Sequence, residues 1–228
     1  MPPKLLAHYT LENYMKVIKN MNLRWPINTL ILTVIAVSGS VFISAITGYG
    51  LIKKNLRLWI IMAAMVPRYA LIIPQAIIMR YTGLINTLLG CALPLIVTPL
   101  HVLMAEQYFR AFPSSMIDAG RIDGLTDLGV LTRVILPNAK PLLVCLALLK
   151  TVETWNDYLW QYIILHNEDK RTLLIGLIRW VSTKGGGSPV NVNPVGIGLA
   201  VSIVLMVPFL ILFGVGSKYF MYELKGVD

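Results

Sequence analysis

Ile27-Asn28-Thr29-Leu30-Ile31-Leu32-Thr33-Val34-Ile35-Ala36-Val37-Ser38-Gly39-Ser40-Val41-Phe42-Ile43-Ser44-Ala45-Ile46-Thr47-Gly48-Tyr49-Gly50-Leu51-Ile52 contains no charged side chain, and Lys53, Lys54 and Arg57 follow at once. An apolar layer of about 30 Å takes roughly 20 helical residues to cross, so this stretch predicts a membrane span with a basic stop. The whole chain agrees with it: of 228 residues 56% are hydrophobic and only 14% charged, and the mean hydropathy is +0.69. Soluble domains carry about 25% charged residues, so a water-soluble globule is excluded. The expected fold is all-α, a polytopic membrane helical bundle of about five transmembrane helices with a polar loop between two of them.

Further spans follow along the chain. Leu58 to Met79 is apolar but interrupted by Pro67, Arg68 and Pro74, which predict breaks covered by protein or water. Tyr81 to Ala105 is uncharged and reads as a span kinked by Pro94 and Pro99. From Glu106 to Lys140 charge returns, at Arg110, Asp118, Arg121, Asp123, Asp127 and Arg133, which predicts a structured polar loop. Pro141 to Leu165 carries Lys150, Glu153, Asn156 and Asp157 and reads as a bundle-facing span. His166 to Val192, with Gly185-Gly186-Gly187-Ser188, reads as an external connection, and Val195 to Gly216 as the fifth span. The resulting division is an extramembrane segment over 1–26, a transmembrane domain over 27–217 with its loop at about 109–140, and a tail over 218–228.

The net charge of +9 does not signal nucleic acid, because the cations are scattered beside apolar runs, where they set topology and meet membrane lipid. Counted by side, the loop end holds Lys53, Lys54, Arg57, Arg110, Arg121, Arg133, Lys140, Lys218 and Lys225. The other end holds Arg80, Lys170, Arg171, Arg179 and Lys184, and draws level once Lys4, Lys16, Lys19 and Arg24 join it. Without that amino-terminal tail the excess favours a cytoplasmic loop. Cys91 and Cys145 lie in apolar runs and read as packing residues, and His8, His101 and His166 lack ligand spacing, so no metal site is expected. His101 reads as a hydrogen-bonded bundle residue. The start lacks the apolar core of a secretory signal.

The loop itself is the informative segment. Pro113-Ser114-Ser115 predicts a helix start with a serine hydroxyl cap, Gly124 a stop, and Thr126 the cap of a second short helix running to Pro137. On the first helix Met116, Ala119, Gly120 and Asp123 fall on one broad face, where the small pair admits close approach of a partner surface. Asp118 and Asp123 are available for basic groups. An ordinary solvated loop is the alternative.

Asp118-Ala119-Gly120-x-x-Asp123-Gly124, nine residues, then Val134-x-Leu136-Pro137 resembles the EAA loop of permease subunits of binding-protein-dependent ABC importers. Further stretches are similar to the carbohydrate branch, in particular the maltose-type second permease. They are Thr10-Leu11-Glu12-Asn13-Tyr14, Asn28-Thr29-Leu30, Ile73-Pro74, Tyr81-Thr82-Gly83-Leu84-Ile85-Asn86-Thr87 and Trp155-Asn156-Asp157. Three departures stand out. Asp118 and Gly120 replace the usual Glu and second Ala, and Leu125 replaces a small residue. The third is that such permeases usually have a span before the Leu-Glu-Asn-Tyr segment, and this sequence begins just short of it.

The resemblance implies a multi-pass subunit of a bacterial or archaeal cytoplasmic (inner) membrane that imports a sugar. Its implied partners are a second permease subunit, two copies of an ABC ATPase subunit and an extracytoplasmic sugar-binding protein. It also implies that Met116, Asp118, Ala119, Gly120, Asp123 and Gly124 form the ATPase-coupling surface. The chain has no Gly-x-x-x-x-Gly-Lys-[Ser/Thr] loop, so no cofactor and no catalytic residue are assigned to it. Arg68, Gln75, Lys150, Glu153, Asn156 and Asp157 are costly in hydrocarbon and should face the interior, a partner or water. Gln75, Asn156, Asp157 and Trp155 are the candidate pathway-lining residues, against the alternative of interhelical packing. Two other readings stay open: a permease for another solute such as glycerol phosphate or a modified sugar, and a membrane enzyme using Glu106, His101 or the loop aspartates.

Overall fold

The structure, a computed structural model, describes residues 11–54, 56–182 and 194–224. The Lys184 to Val192 stretch with its Gly185-Gly186-Gly187-Ser188 run, Lys4, His8 and Lys225 lie outside the described residues. Among the described residues every regular element is helical.

The charge-free stretch forms the interior of one long helix, α2 (Arg24–Lys53), among the described residues the single helix long and apolar enough to span a membrane unbroken. Around it stand helices in broken pairs: α3 (Arg57–Met65) with α4 (Ile72–Tyr81), bent by 82°, and α5 (Leu88–Ile96) with α6 (Pro99–Arg110), bent by 46°. The breaks have a proline cause. A pyrrolidine ring pushes the residue before it to extended backbone, and both Val66 (ψ 119°) before Pro67 and Thr98 (ψ 108°) before Pro99 are extended. Pro74 does not break the chain, because it sits in the first turn of α4, where no intrahelical donor is required. Pro94 lies inside a continuous α5. The expected third span therefore starts at Leu88 rather than Tyr81 and is broken at Pro99 alone; residues 82–87 form the preceding turn.

Beyond α6 come α7 (Ser114–Ile122), α8 (Asp127–Val130), a π turn over Leu131–Ile135, and α9 (Leu136–Asn138). Pro137 has no N–H to offer the Arg133 carbonyl, consistent with a locally widened helix. Then follow α10 (Lys140–Asn156), α11 (Tyr158–Ile164), α12 (Leu173–Trp180) and α13 (Pro194–Leu224). An amphipathic α1 (Glu12–Asn20) precedes α2, and its exposed Glu12 carboxyl is held below the ordinary range by Lys16, 2.7 Å away. α2 begins at Arg24 and α13 ends at Leu224, so both helices extend past the limits of the 27–217 stretch. The described part of the expected external connection, residues 166–182, contributes to the core. Leu173, Ile175 and Leu177 of α12 are buried, and a Cβ at Gly176 would strike the Trp25 ring.

α2 is the post shared by three cores. One gathers Leu32 and Ala36 with α4, α5 and α11, closed by Trp160 and Ile164. A second gathers Ala45 and Tyr49 with α6, the loop helices and α10. The third joins Trp25 to α1, α12 and the start of α13. Contact in the second is close enough that a Cβ on Gly48 would come within 2.7 Å of Ala105. The outer faces stay apolar, with Leu58, Trp59, Met65, Ile73 and Ile78 exposed. This is the inverse of a soluble protein and suits a lipid solvent.

Candidate functional site: the loop module and the buried polar chain

The polar loop folds as a small helical module with its own core. Gly124 takes φ +79°, a conformation that glycine adopts without strain, and ends α7. The backbone N–H of Leu125 then donates to Gly120 O at 3.0 Å. Thr126 caps the next helix, its hydroxyl accepting from Gly129 N at 3.3 Å. Pro113, not a serine hydroxyl, occupies the start of α7, and no side-chain cap forms there. Ile117, Leu125 and Val134 pack on the second core, which includes Phe109 of α6 and Leu142 and Leu146 of α10. The module is thus fastened to three helices of the bundle.

The two sides of α7 differ. Gly120 is buried, with a hypothetical Cβ only 3.2 Å from Val134, so it serves the module's interior and not the presented surface expected of it. Ala119, Asp118, Met116, Asp123 and Gly124 are exposed. Beside them stands Ile122, 86% exposed, which the sequence reading passed over. Ser115, Asp118, Ala119 and Ile122 follow helical spacing and form one outward ridge, with Leu128 of α8 also exposed. An i, i+3 contact of 3.6 Å joins Arg121 to Asp118. Exposed isoleucine and leucine on a polar module were the missed signal.

At the base of the module, Glu106 is not a loop residue: it belongs to α6 and is 0% exposed. Its Oε1 accepts from Arg110 Nε at 2.9 Å, and Arg57 Nε of α3 lies 3.7 Å from Oε2. Two guanidinium groups thereby offset one buried carboxylate and tie α3 to α6.

A second polar set runs through the bundle. Lys150, 2% exposed, donates to Thr98 Oγ1 at 2.7 Å and to Glu153 Oε2 at 2.9 Å. Glu153 Oε1 lies 3.2 Å from His101 Nε2, and His101 Nδ1 lies 3.3 Å from Ser40 Oγ on α2. His101 is therefore a partnered bundle residue, in a cluster separate from Glu106. A neighbouring pair, Arg68 to Asp157 at 2.6 Å, links the α3–α4 break to the α10–α11 break. Of the pathway candidates, Gln75 is half-buried and Asn156 exposed, its amide donating to Val152 O at 3.0 Å. Asp157 holds Arg68. Trp155 is buried in the third core and presents no open surface.

At the end away from the module, side chains seal the turns. Asn86, at φ 61°, accepts from the N–H groups of His166 and Asn167, and Asn28 donates to the carbonyls of Asp169 and Arg171. Arg24 pairs with Asp169 at 2.9 Å, which places Arg24 at the end opposite the module.

The family described as binding-protein-dependent transport system inner membrane component matches residues 36–219. The chain is 31% identical over 219 residues to the arabinooligosaccharides transport system permease protein AraQ of Halalkalibacterium halodurans, covering 92% of this chain and 76% of that protein. It is 24% identical to the sn-glycerol-3-phosphate transport system permease protein UgpE of Yersinia pestis, over 85% of this chain and 69% of the relative. The fold is shared with a bacterial ABC transporter involved in the import of the acidic polysaccharide alginate. That likeness has a TM-score of 0.74 at 24% identity, covering 91% of this chain and 79% of the other.

Proposed function

We propose, from the premise that this chain belongs to the family of binding-protein-dependent transport system inner membrane components, that it carries a sugar across the inner membrane while α7 is gripped by a partner ATPase. A permease of this family is not an enzyme, and the ATP is hydrolysed in partner subunits. The family works with a partner permease, an ATPase and a binding protein. The finer assembly, with two ATPase copies and an extracytoplasmic sugar-binding protein, is part of the proposal.

The observation that carries it is the ridge of Ser115, Asp118, Ala119 and Ile122 on a module whose opposite side is locked into the bundle. A knob of this kind transmits displacement because its own core resists deformation. Nucleotide binding in the partner supplies the free-energy difference between inward- and outward-facing states, and the permease supplies the lever. In this reading the module and the 218–228 tail lie on the cytoplasmic side, and 27–217 is the transmembrane domain. Gln75, Asn156 and Asp157 line the path. Trp155 leaves that set because its ring is enclosed.

Sugar as the cargo is supported by the arabinooligosaccharide relative; the glycerol phosphate relative favours a second reading with a phosphorylated polyol. Equilibrium binding of arabinooligosaccharides and of sn-glycerol 3-phosphate to the cognate binding protein separates the two. For the grip itself, Ile122→Asp in the reconstituted complex is expected to lower ATPase retention on the permease by about tenfold, as loss of an apolar anchor does. Full retention with normal uptake contradicts the assignment.

A further inference from the structure

Besides the 81° bend between the loop module and α10, three further helix pairs are interrupted, and those three interruptions are joined to one another. The α3–α4 break holds Arg68, the α5–α6 break holds Thr98, and Asp157 stands between α10 and α11. α10 reaches the first two: its Lys150 donates to Thr98 Oγ1 at 2.7 Å, and Asp157, at its end, accepts from Arg68 at 2.6 Å. On one side of these joints α4, α5 and α11 share a core; on the other α6, α10 and the loop module share a different one. Of the transmembrane helices in these cores, α2 alone runs unbroken through both.

Building on the import reading, we propose that the three breaks form a single hinge plane. Across it the half of the bundle bearing α4, α5 and α11 turns against the half moved by the ATPase, with Lys150, Glu153 and Asp157 as positioning residues. The chemistry suits a bearing. Extended backbone at Val97 and Thr98 interrupts the α-helical ladder, and in a lipid solvent such a place needs a polar companion from a neighbouring helix. Lys150 supplies it. Glu153 offsets the ammonium charge, and its second oxygen faces His101 Nε2 in the first turn of α6. With the ring proton on Nε2, Nδ1 accepts from Ser40 on the unbroken post. A file of close polar contacts then runs from α2 to the break, with the 3.2 Å approach of Glu153 to His101 as its electrostatic link, and every contact touches the lever side. A displacement of α7 is passed through its packed core to α6 and α10 together, which turn about Thr98 without losing their polar partners. This geometry predicts rigid halves and motion confined to the breaks.

The test uses the complete transporter with its ATPase, binding protein and second permease, with Cys91 and Cys145 replaced by alanine. Spin labels at Leu93→Cys and Ile78→Cys report within one half, and labels at Leu93→Cys and Leu149→Cys report across the plane. On trapping with an ATP analogue the second distance is expected to shift by about 2 Å or more while the first holds. In Lys150→Met/Glu153→Leu, which removes the charges together, uptake per ATP is expected to fall about tenfold with the ATPase still bound. If that variant does not assemble, His101→Leu against His101→Gln reads the same link, the glutamine restoring most of the coupling. Equal shifts in both label pairs, wild-type uptake per ATP in Lys150→Met/Glu153→Leu, or His101→Leu coupling as well as His101→Gln would overturn the hinge. A wild-type complex that binds no ATPase would instead overturn the import reading.

Discussion

The loop module and the polar chain around Lys150 both place charges near α10, yet they stand in opposite solvents. Asp118 and Arg121 are exposed, their 3.6 Å contact is screened by water, and such pairs contribute about 0–1 kcal/mol. Lys150 and His101 are enclosed by helices, and each depends on the next residue for its partner. The difference teaches where each kind of residue acts. On the reading proposed above, the module's charges tune recognition and leave the fold alone, whereas the inner ones hold the helix breaks in position.

The predictions follow from that contrast, the largest first. Glu153→Leu leaves the enclosed Lys150 ammonium without its counter-charge and is expected to destabilise by about 3 kcal/mol or more, read as loss of assembled complex after detergent challenge. Lys150→Met/Glu153→Leu should recover most of that loss, because it removes both charges; no recovery would break the comparison. Gly120→Leu forces a branched side chain against Val134 and Val130 and is expected to cost roughly 1–3 kcal/mol, seen as protease sensitivity between 111 and 139. Gly124→Val has open space around it but must hold φ near +79°, a strain of about 1–2 kcal/mol that should loosen the α7–α8 turn. Asp118→Lys should change stability by no more than about 0.5 kcal/mol while weakening ATPase retention, which would sharpen the division between fold and recognition.

Much of the architecture is written in hydropathy, because a charge-free run has one economical solution in lipid. The long helices α2 and α13 follow from it directly. The loop was equally legible: Gly124 and Thr126 specify a turn and a cap by local chemistry that tertiary context does not alter. What local chemistry does not encode is which way a small residue faces. Gly120 and Ala119 are neighbours with similar spacing, yet one meets Val134 and the other meets solvent, since the packing partner is supplied by the second short helix. Proline was ambiguous for the same reason. Pro94 and Pro99 read alike, but only the latter stands beside Lys150, whose Nζ satisfies Thr98 where the helix opens. Glu106 appeared to begin the loop because its charge ends an apolar run; its burial depends on Arg57 and Arg110 arriving from two helices. Trp155 beside Asn156 suggests a sugar platform, and the structure buries it instead in the core that α10 shares with α13.

The claim at the centre of the account is that α7 is the surface a partner holds. Cross-linking from single cysteines in the assembled transporter addresses it most directly, with Ala119→Cys and Ser115→Cys on the ridge and Gly129→Cys on the flank. Efficient links are expected from both ridge positions to the ATPase, with yields that change on nucleotide binding, and little from the flank. Ridge cysteines that link only to an extracytoplasmic protein, or to nothing, would contradict it.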